Sequence, residues 1–361
     1  MTKIITVTCL MQLVERGQIG LDDDIKPLVP ELAAAQILKG FDEAADGAPI
    51  LQDNPHPITL RHLLTHTAGL GYDVADPDLQ RWSQHVGRTK TIVSSTIEGF
   101  TTPLKFVPGE GWYYGTATDW AGQVLERVTG LKLGEYMAEN VFAPLGMVDS
   151  GFVLGSVLGG EGARERYVEF CERHGETGEL GSREAMFPPD PAVESGGGGL
   201  YSTLGDYGKV VQALLRALAG EEGGLVSQAT AETMFTPQLD DAQRGWLTSI
   251  LNLAGFVPEF PAGTPVDHGI GGCINTEDVP GKRKKGSMKW GGMCNSHWVR
   301  WLPAFMKIYF ADMWCVRSGW TVKPESEGSC SPTCSRSGMR LSTGCTTSWS
   351  PLSMQSCSRV W

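Results

Sequence analysis

The sequence predicts a fold of mixed α-helices and β-strands, and three observations indicate it. The run 4–14 is apolar nearly all round and closes at a glycine, which is typical of a buried helix. Segments 121–128 and 206–218 are further predicted helices, the first followed by a Thr-Gly pair and the second preceded by a capping threonine. Finally, 266–275 and 287–299 are extended candidates on either side of a basic turn, which predicts an antiparallel hairpin.

The composition is that of an acidic globular protein. The chain has 361 residues, 41% of them hydrophobic and 20% charged, enough for one large domain or two modest ones. Its net charge of −11 argues against a nucleic-acid partner, and we interpret the basic cluster 282–285 as a hairpin tip rather than a targeting signal. No apolar stretch is long enough to cross a membrane and no secretory signal opens the chain. We therefore expect a cytoplasmic protein without a membrane partner.

Two closely spaced histidines and the nine cysteines are the candidate metal ligands of the sequence. His62 and His66 lie four residues apart in a predicted helix within 57–70, for which Thr59 is the candidate N-cap and Gly69 the candidate stop. This spacing would place both histidines on one face. No third ligand accompanies them, and polar side chains in such helices commonly hold neighbouring loops by hydrogen bonds. The nine cysteines show no zinc-site spacing, and the scattered ones are expected to be reduced core residues. The sequence therefore predicts neither a metal nor a cofactor.

Lys3 is the most informative residue of the first helix. It lies on the first turn of a buried helix, at the positive end of the helix dipole, where an amine is costly. One interpretation is a lysine that extends its amine to solvent. The other is a Ser-x-x-Lys arrangement, in which a lysine one turn after a serine helps to activate the hydroxyl for acyl transfer. That serine would fall immediately before Met1.

Two loops could also contribute to a site. Tyr114 follows a Pro-Gly turn and precedes a helix, so its phenol could pack or could carry protons. The run Ser195 to Gly199 lacks the Gly-Lys-Ser/Thr of a phosphate loop. Its four glycines are better explained by a backbone that passes close to a bulky group.

Two regions interrupt the regular pattern. Residues 153–191 are rich in Gly, Glu and Arg without clear periodicity, and we interpret them as an insertion or lid. Beyond about residue 300 the character changes to a tail, 300–361, rich in Ser, Cys, Thr and Trp. We expect this tail to be aberrant or disordered, the product of a misread gene end, and its part after about residue 318 not to join the core. A truncated first exon would be the corresponding fault at the start.

Six stretches together resemble the serine β-lactamase-related hydrolases. This family includes class C β-lactamases, penicillin-binding D-alanyl carboxypeptidases, family VIII-type esterases and lovastatin-type acyltransferases. Each stretch is weak alone, but all occur in family order over a domain of residues 1–299. The matching stretches are 1–3, 20–23, 63–70, 108–109 with 112–114, 196–200, and 290–292.

The resemblance implies catalytic roles for two residues. Lys3 is similar to the lysine of the Ser-x-x-Lys motif. Tyr114 is similar to the tyrosine of the second motif, although Thr116 stands where β-lactamases usually have Asn. Because the serine would precede Met1, we expect the printed chain to be inactive.

The resemblance also implies a substrate-binding strand. Trp290, Gly291 and Gly292 stand where β-lactamases have Lys-Thr-Gly and where esterases and acyltransferases of the family often have Trp-Gly-Gly. A tryptophan cannot pair with a β-lactam carboxylate as a lysine does, but it suits an apolar acyl or alcohol group. A backbone N–H near Met293 would contribute to the oxyanion hole.

The implied function is serine-dependent acyl transfer to or from a small-molecule ester or thioester, by hydrolysis or transesterification through an acyl-enzyme. The alternatives are β-lactamase or D-alanyl carboxypeptidase activity, a non-catalytic ligand-binding relative, or a gene product that does not fold stably. The implied fold is α/β (α+β) and β-lactamase/transpeptidase-like, with an antiparallel sheet flanked by helices and a helical lobe that carries Tyr114. Since strands before the first helix are missing from the sequence, we expect the sheet to be incomplete.

Overall fold

A computed structural model describes the backbone of residues 1–160, 162–173, 177–254, 263–292, 296–301 and 305–310. Side chains are described in these ranges except at 173, 252–254, 296–301 and 305–310. All described residues belong to one compact unit, Met1–Val322. Residues 311–361, to which most of the predictions about the tail refer, lie outside the described residues.

The helices alternate with loops through the first two thirds of the chain, and most strands follow them. The helices are α1 (Thr2–Glu15), α2 (Pro30–Ala33), α3 (Leu60–Leu64), α4 (Pro77–His85), α5 (Ile97–Phe100), α6 (Ala117–Thr129), α7 (Leu133–Met137), α8 (Ala143–Leu145), α9 (Leu154–Val157), α10 (Ala163–Arg166), α11 (Leu204–Ala219), α12 (Gln228–Met234) and α13 (Asp241–Ala254). A 3₁₀ turn covers Ile92–Ser94, and a π-helical turn, Ala138–Phe142, joins α7 to α8. The strands are β1 (Gln36–Asp42), β2 (Ala48–Asp53), β3 (Cys171–Arg173), β4 (Leu180–Ser182), β5 (Val266–Gly269), β6 (Gly272–Asn275), β7 (Met288–Gly291), β8 (Ser296–Trp301) and β9 (Phe305–Phe310).

Helix α1 lies at the centre of the hydrophobic core. Every side chain from Thr2 to Leu13 is buried, and the helix packs against α6 and α7. This confirms the predicted buried helix. Its surface is apolar nearly all round because neighbours cover it on all sides, whereas α6 and α11 are amphipathic.

Local capping determines where several helices begin and end. The Thr203 side chain accepts the Asp206 N–H at the start of α11, as predicted, and α6 ends before Gly130, whose φ is 75°. The helix predicted over 57–70 is shorter than expected. It begins after Thr59, as predicted, but ends at Leu64, because His66 adopts a left-handed φ of 60°.

Strands β5 to β9 form one antiparallel sheet in sequential order. The single strand predicted over 266–275 is itself a hairpin, since β5 pairs with β6 across Ile270 and Gly271. Gly271 has a φ of 109°, and this left-handed geometry turns the chain. The basic cluster lies between β6 and β7. Strands β8 and β9 continue the sheet beyond residue 299, where we placed the end of the domain.

The described part of 153–191, the segment predicted to be an insertion or lid, contains short elements. Helices α9 and α10 are followed by the hairpin of β3 and β4. Across the described ranges, we find no helix with the length and apolar character that a membrane span requires.

Candidate active site

Lys3 is held inside the molecule by hydrogen bonds from its amine. The side chain projects from the first turn of α1 and is only 5% exposed. Its Nζ donates to the Gly197 carbonyl oxygen at 2.7 Å and to the Tyr72 hydroxyl at 3.2 Å. It also lies 4.9 Å from the centre of the Tyr114 ring, within the range of a cation–π interaction. The amine therefore does not extend to solvent, which excludes the first interpretation of this lysine.

Tyr114 reaches Lys3 because two loops approach each other closely. A Cβ on Gly115 would lie 2.5 Å from the Cα of Gly71, so only glycine lets the loop before α6 pass the loop after α3. The rings of Tyr72 and Tyr114 consequently meet edge to face, with their centroids 5.2 Å apart. The Trp290 indole N–H donates to the Tyr114 hydroxyl at 3.3 Å.

Tyr72 links the lysine to Tyr114. Burial raises the pKa of Tyr72 well above its ordinary value, and its neighbours Tyr114 and Asp119 raise it further. A hydrogen bond with Tyr114 acts in the same direction. Tyr72 therefore stays a neutral phenol, able to accept from Lys3 and to donate its own proton to Tyr114.

Aromatic rings form one side of the site. His66 stacks on Trp290 with centroids 6.1 Å apart, and it also contacts Trp112, Tyr114 and His268. Burial lowers the pKa of His66 well below its ordinary value, and the charges of His268 and Lys3 add to this effect. Both imidazoles are neutral at physiological pH, since burial also lowers the pKa of His268 to about 4.

The two candidate metal ligands, His62 and His66, have different environments. His62 closes a capping box with Thr59, accepting the Thr59 N–H at its Nδ1. This confirms a hydrogen-bonding role for His62 only, because no described residue makes a hydrogen bond to Nδ1 of His66. Within the described ranges, no group of three or more candidate ligands is arranged to hold a metal ion.

The glycine-rich turn lies against the starts of α1 and α6. A Cβ on Gly196 would overlap the Thr118 carbonyl oxygen, and one on Gly197 would lie 2.6 Å from Asp119 Oδ2. The prediction that these glycines permit close approach of the backbone is confirmed. Thr6 Oγ1 donates to the Gly196 carbonyl at 2.9 Å, which joins the turn to α1.

A family model described as Beta-lactamase matches residues 1–300. This chain belongs to the β-lactamase family. It is 36% identical to a lovastatin esterase of Penicillium rubens over 82% of this chain and 74% of that protein. It is 34% identical to a monacolin J acid methylbutanoyltransferase of Aspergillus terreus over 82% of this chain and 71% of that protein. A solved structure of simvastatin synthase from Aspergillus terreus, the LovD6 mutant, is similar with a TM-score of 0.74 and 34% identity, over 82% of this chain and 70% of that one.

These similarities confirm the predicted β-lactamase/transpeptidase-like fold and show that the chain is an enzyme of the β-lactamase family, on the branch that includes esterases and acyltransferases. The structure brings Lys3, Tyr114 and Trp290 together. Gly291 ends β7 and Gly292 follows it, while Met293 lies outside the described residues.

Sequence reasoning missed three polar members of this β-lactamase-family site. Tyr72 comes just after the stretch 63–70 that carried the resemblance, but no periodicity distinguishes it. Asp119 offered a signal, because a carboxylate within the run Ala-Thr-Asp-Trp-Ala at the start of a helix is a candidate buried charge. Ser195 directly precedes the four glycines, and nothing in its neighbouring sequence distinguishes its hydroxyl as a partner of a buried carboxylate.

Proposed function

We propose that this chain, when it is extended upstream of Met1 to include the serine of a Ser-x-x-Lys motif, carries out serine-dependent acyl transfer on a small-molecule ester or thioester, by hydrolysis or by transesterification through an acyl-enzyme. The observation that carries the proposal is the buried amine of Lys3 between two tyrosines, at the start of a core helix. The similarity to a named esterase and a named acyltransferase supports the same chemistry.

The nucleophile of this proposal is a serine at the position three before Lys3, immediately upstream of Met1. A serine there would lie one helical turn from the lysine. Its oxygen would form a bond with the acyl carbon while its proton passes to the unprotonated form of the Lys3 amine, directly or by way of Tyr114. The leaving alcohol or thiol then departs with that proton, and water or an acceptor alcohol takes the acyl group by the reverse sequence.

The neutral Tyr72 supports the roles of Lys3 and Tyr114. Its hydroxyl bridges the amine and the second phenol, so a proton released at one group has a short route to the other. We assign Lys3 and Tyr114 as the acid–base pair and Tyr72 as the group that orients them.

The proposed substrate-binding segment comprises Trp290 and Gly291 at the end of β7, the following Gly292, and Met293, which lies outside the described residues. Trp290 offers an aromatic face, and its N–H is already occupied by Tyr114, which favours an apolar acyl or alcohol group beside it. The backbone N–H near Met293 is proposed as an oxyanion donor on the family resemblance alone.

The insertion over 153–191 is proposed as a lid. Its support is Phe187, whose ring lies 3.0 Å from the position of a Cβ built on Gly198. The preceding glycine of the turn, Gly197, accepts a hydrogen bond from the Lys3 amine at its carbonyl oxygen.

Cys9 and Cys273 are free and buried, which supports the proposed cytoplasmic location.

The test compares two chains extended upstream of Met1, one with serine and one with alanine immediately before it. We expect the serine chain to hydrolyse a chromogenic short-acyl ester and the alanine chain to do so about 10⁶-fold more slowly. A chromogenic cephalosporin, measured in parallel, should react much more slowly than the ester, because Trp290 supplies no cation for its carboxylate.

Each other result would identify a different function. Faster hydrolysis of the cephalosporin would place the chain with β-lactamases or D-alanyl carboxypeptidases. A folded serine chain that hydrolyses neither compound would indicate a non-catalytic ligand-binding relative.

A further inference from the structure

Asp119 is a buried carboxylate on the first turn of α6, fully shielded from solvent. One oxygen, Oδ1, accepts the Ser195 hydroxyl and the Gly197 N–H, the latter at 3.0 Å. No described residue makes a hydrogen bond to the other oxygen, Oδ2. A carboxylate in such surroundings is costly unless other groups stabilise its charge.

The hydrogen bonds of Asp119 lead directly to Lys3. Gly197 donates its N–H to the carboxylate and accepts the Lys3 amine at its own carbonyl oxygen, 2.7 Å away. A single residue of the turn therefore joins the anion to the cation. The Ser195 hydroxyl donates a hydrogen bond to the same carboxylate oxygen, Oδ1.

The close contact depends on glycine. Because a Cβ on Gly197 would lie 2.6 Å from Asp119 Oδ2, any other residue would force the carboxylate or the turn to move and would disturb the hydrogen bond between them. The Gly197 carbonyl would then move relative to Lys3. The same requirement holds for Gly196, which lies against the Thr118 carbonyl.

The Asp119 carboxylate and the Lys3 ammonium group carry opposite charges. Burial raises the pKa of Asp119, while the positive charge of Lys3 and the hydrogen bonds from Ser195 and Gly197 lower it. Asp119 in turn helps to keep Tyr72 neutral, since it contributes to the raised pKa of that phenol. The charged and titratable groups that face Asp119 are thus Lys3 and Tyr72.

We propose that Asp119 is a positioning residue for Lys3. Its carboxylate fixes the turn whose carbonyl oxygen accepts a hydrogen bond from the Lys3 ammonium group, and its negative charge attracts the positive charge of that group. The proposal rests on the proposed function for the role of Lys3 in catalysis. The coupling between the two residues can be measured without any acyl-transfer reaction.

The experiment measures the pKa of the Asp119 carboxyl by carbon-13 NMR in the full chain and in Lys3→Met. Methionine fills the buried space without the charge, so the variant is expected to fold, and the pKa of Asp119 should rise by about one unit or more. The matched control is Lys289→Met, which removes a second buried lysine, located on β7. In this control the Asp119 carboxyl should titrate as in the unaltered chain.

A second measurement uses the unaltered chain alone. The Gly197 amide proton should shift with the same midpoint as the Asp119 carboxyl, because the amide donates to it. An unchanged Asp119 titration in Lys3→Met, or a Gly197 amide that does not follow the carboxyl, would overturn the proposal. Neither result depends on ester hydrolysis, so a failure of the proposed function leaves this test intact.

Discussion

Tyr72 and Tyr114 both lie beside the Lys3 amine, but they have different partners. Tyr72 accepts a hydrogen bond from the amine, whereas Tyr114 accepts one from the Trp290 indole and presents its ring to the amine. A phenol whose pKa is raised well above its ordinary value, as in Tyr72, orients its neighbours more readily than it ionises. The two tyrosines are therefore expected to contribute unequally to the reaction.

In the chain that carries a serine before Met1, Tyr114→Phe should lower kcat/KM for a chromogenic ester by about 10² to 10⁴, the usual contribution of a general acid or base. Tyr72→Phe should lower kcat/KM about fivefold, because it removes an orienting hydroxyl whose hydrogen bond contributes about 1 kcal/mol. Steady-state kinetics of the two variants measures the difference. A larger loss in Tyr72→Phe would transfer the proton-carrying role to Tyr72.

The buried His268 should make the folded state sensitive to acid. Burial lowers its pKa from an ordinary 6.5 to about 4. Between these pH values the unfolded chain binds a proton that the folded chain does not, so the free energy of unfolding falls as the pH is lowered from about 6.5 to about 4. For His268 alone the loss over this window amounts to about 3 kcal/mol.

Urea unfolding at pH 7 and pH 4.5 tests this contribution. His268→Asn should lose less stability between the two pH values than the unaltered chain does. His85→Asn is the matched control, because it removes an imidazole that is exposed on α4 rather than buried. Equal losses in the unaltered chain and in His268→Asn would show that His268 titrates normally.

At the scale of elements, the loop before α6 and the loop after α3 form the site by approaching each other. This contact depends on Gly115, whose hypothetical Cβ would meet the backbone of residues 70 and 71. Backbone atoms cannot move aside as the end of a flexible side chain can. The separation of the two loops is therefore determined by this one residue.

Gly115→Ala should lower the free energy of unfolding by about 3 kcal/mol and reduce catalysis, because it forces the two loops apart. Gly245→Ala is the matched control. Gly245 lies inside α13 with no atom within 4 Å of an added Cβ, so alanine there should be neutral or stabilise by up to about 1 kcal/mol. Thermal unfolding compares the two variants, and a tolerated Gly115→Ala would contradict the close approach.

At the scale of the whole molecule, the sheet ends with two strands near the start of the predicted tail. Strand β9 pairs with β8 along six residue pairs, from Ser296 with Phe310 to Trp301 with Phe305. Removing β9 would leave the hydrogen-bonding groups of β8 without their partners. The stability of the sheet therefore depends on residues up to at least 310.

Two truncations separate the sheet from the tail. A chain that ends at residue 318 should unfold at the same temperature as the full chain, because the sequence beyond it lacks the apolar periodicity that drives burial. A chain that ends at residue 301 loses β9 and should unfold at a clearly lower temperature. If the first truncation also lowered the unfolding temperature, the expectation that the tail does not join the core would be wrong.

Features that depend on near neighbours could be predicted from the sequence. The buried character of α1, the caps at Thr59 and Thr203 and the end of α6 at Gly130 all follow from residues within a few positions of each other. The end of α3 could not be predicted, because the left-handed conformation of His66 has no glycine to signal it. The predicted strand over 266–275 proved to be a hairpin because its turn lies inside an otherwise apolar run.

The position of Lys3 on the first turn of a core helix could be predicted from the sequence, since helical periodicity and apolar composition are local properties. The ordered motifs of the sequence also indicated the family. In contrast, tertiary packing brings the Tyr72 hydroxyl, 69 residues away, to the Lys3 amine, and joins Asp119 to the Gly197 turn across 78 residues. These contacts arise because helices and loops far apart in the chain pack around α1, and no local pattern encodes which side chains then meet.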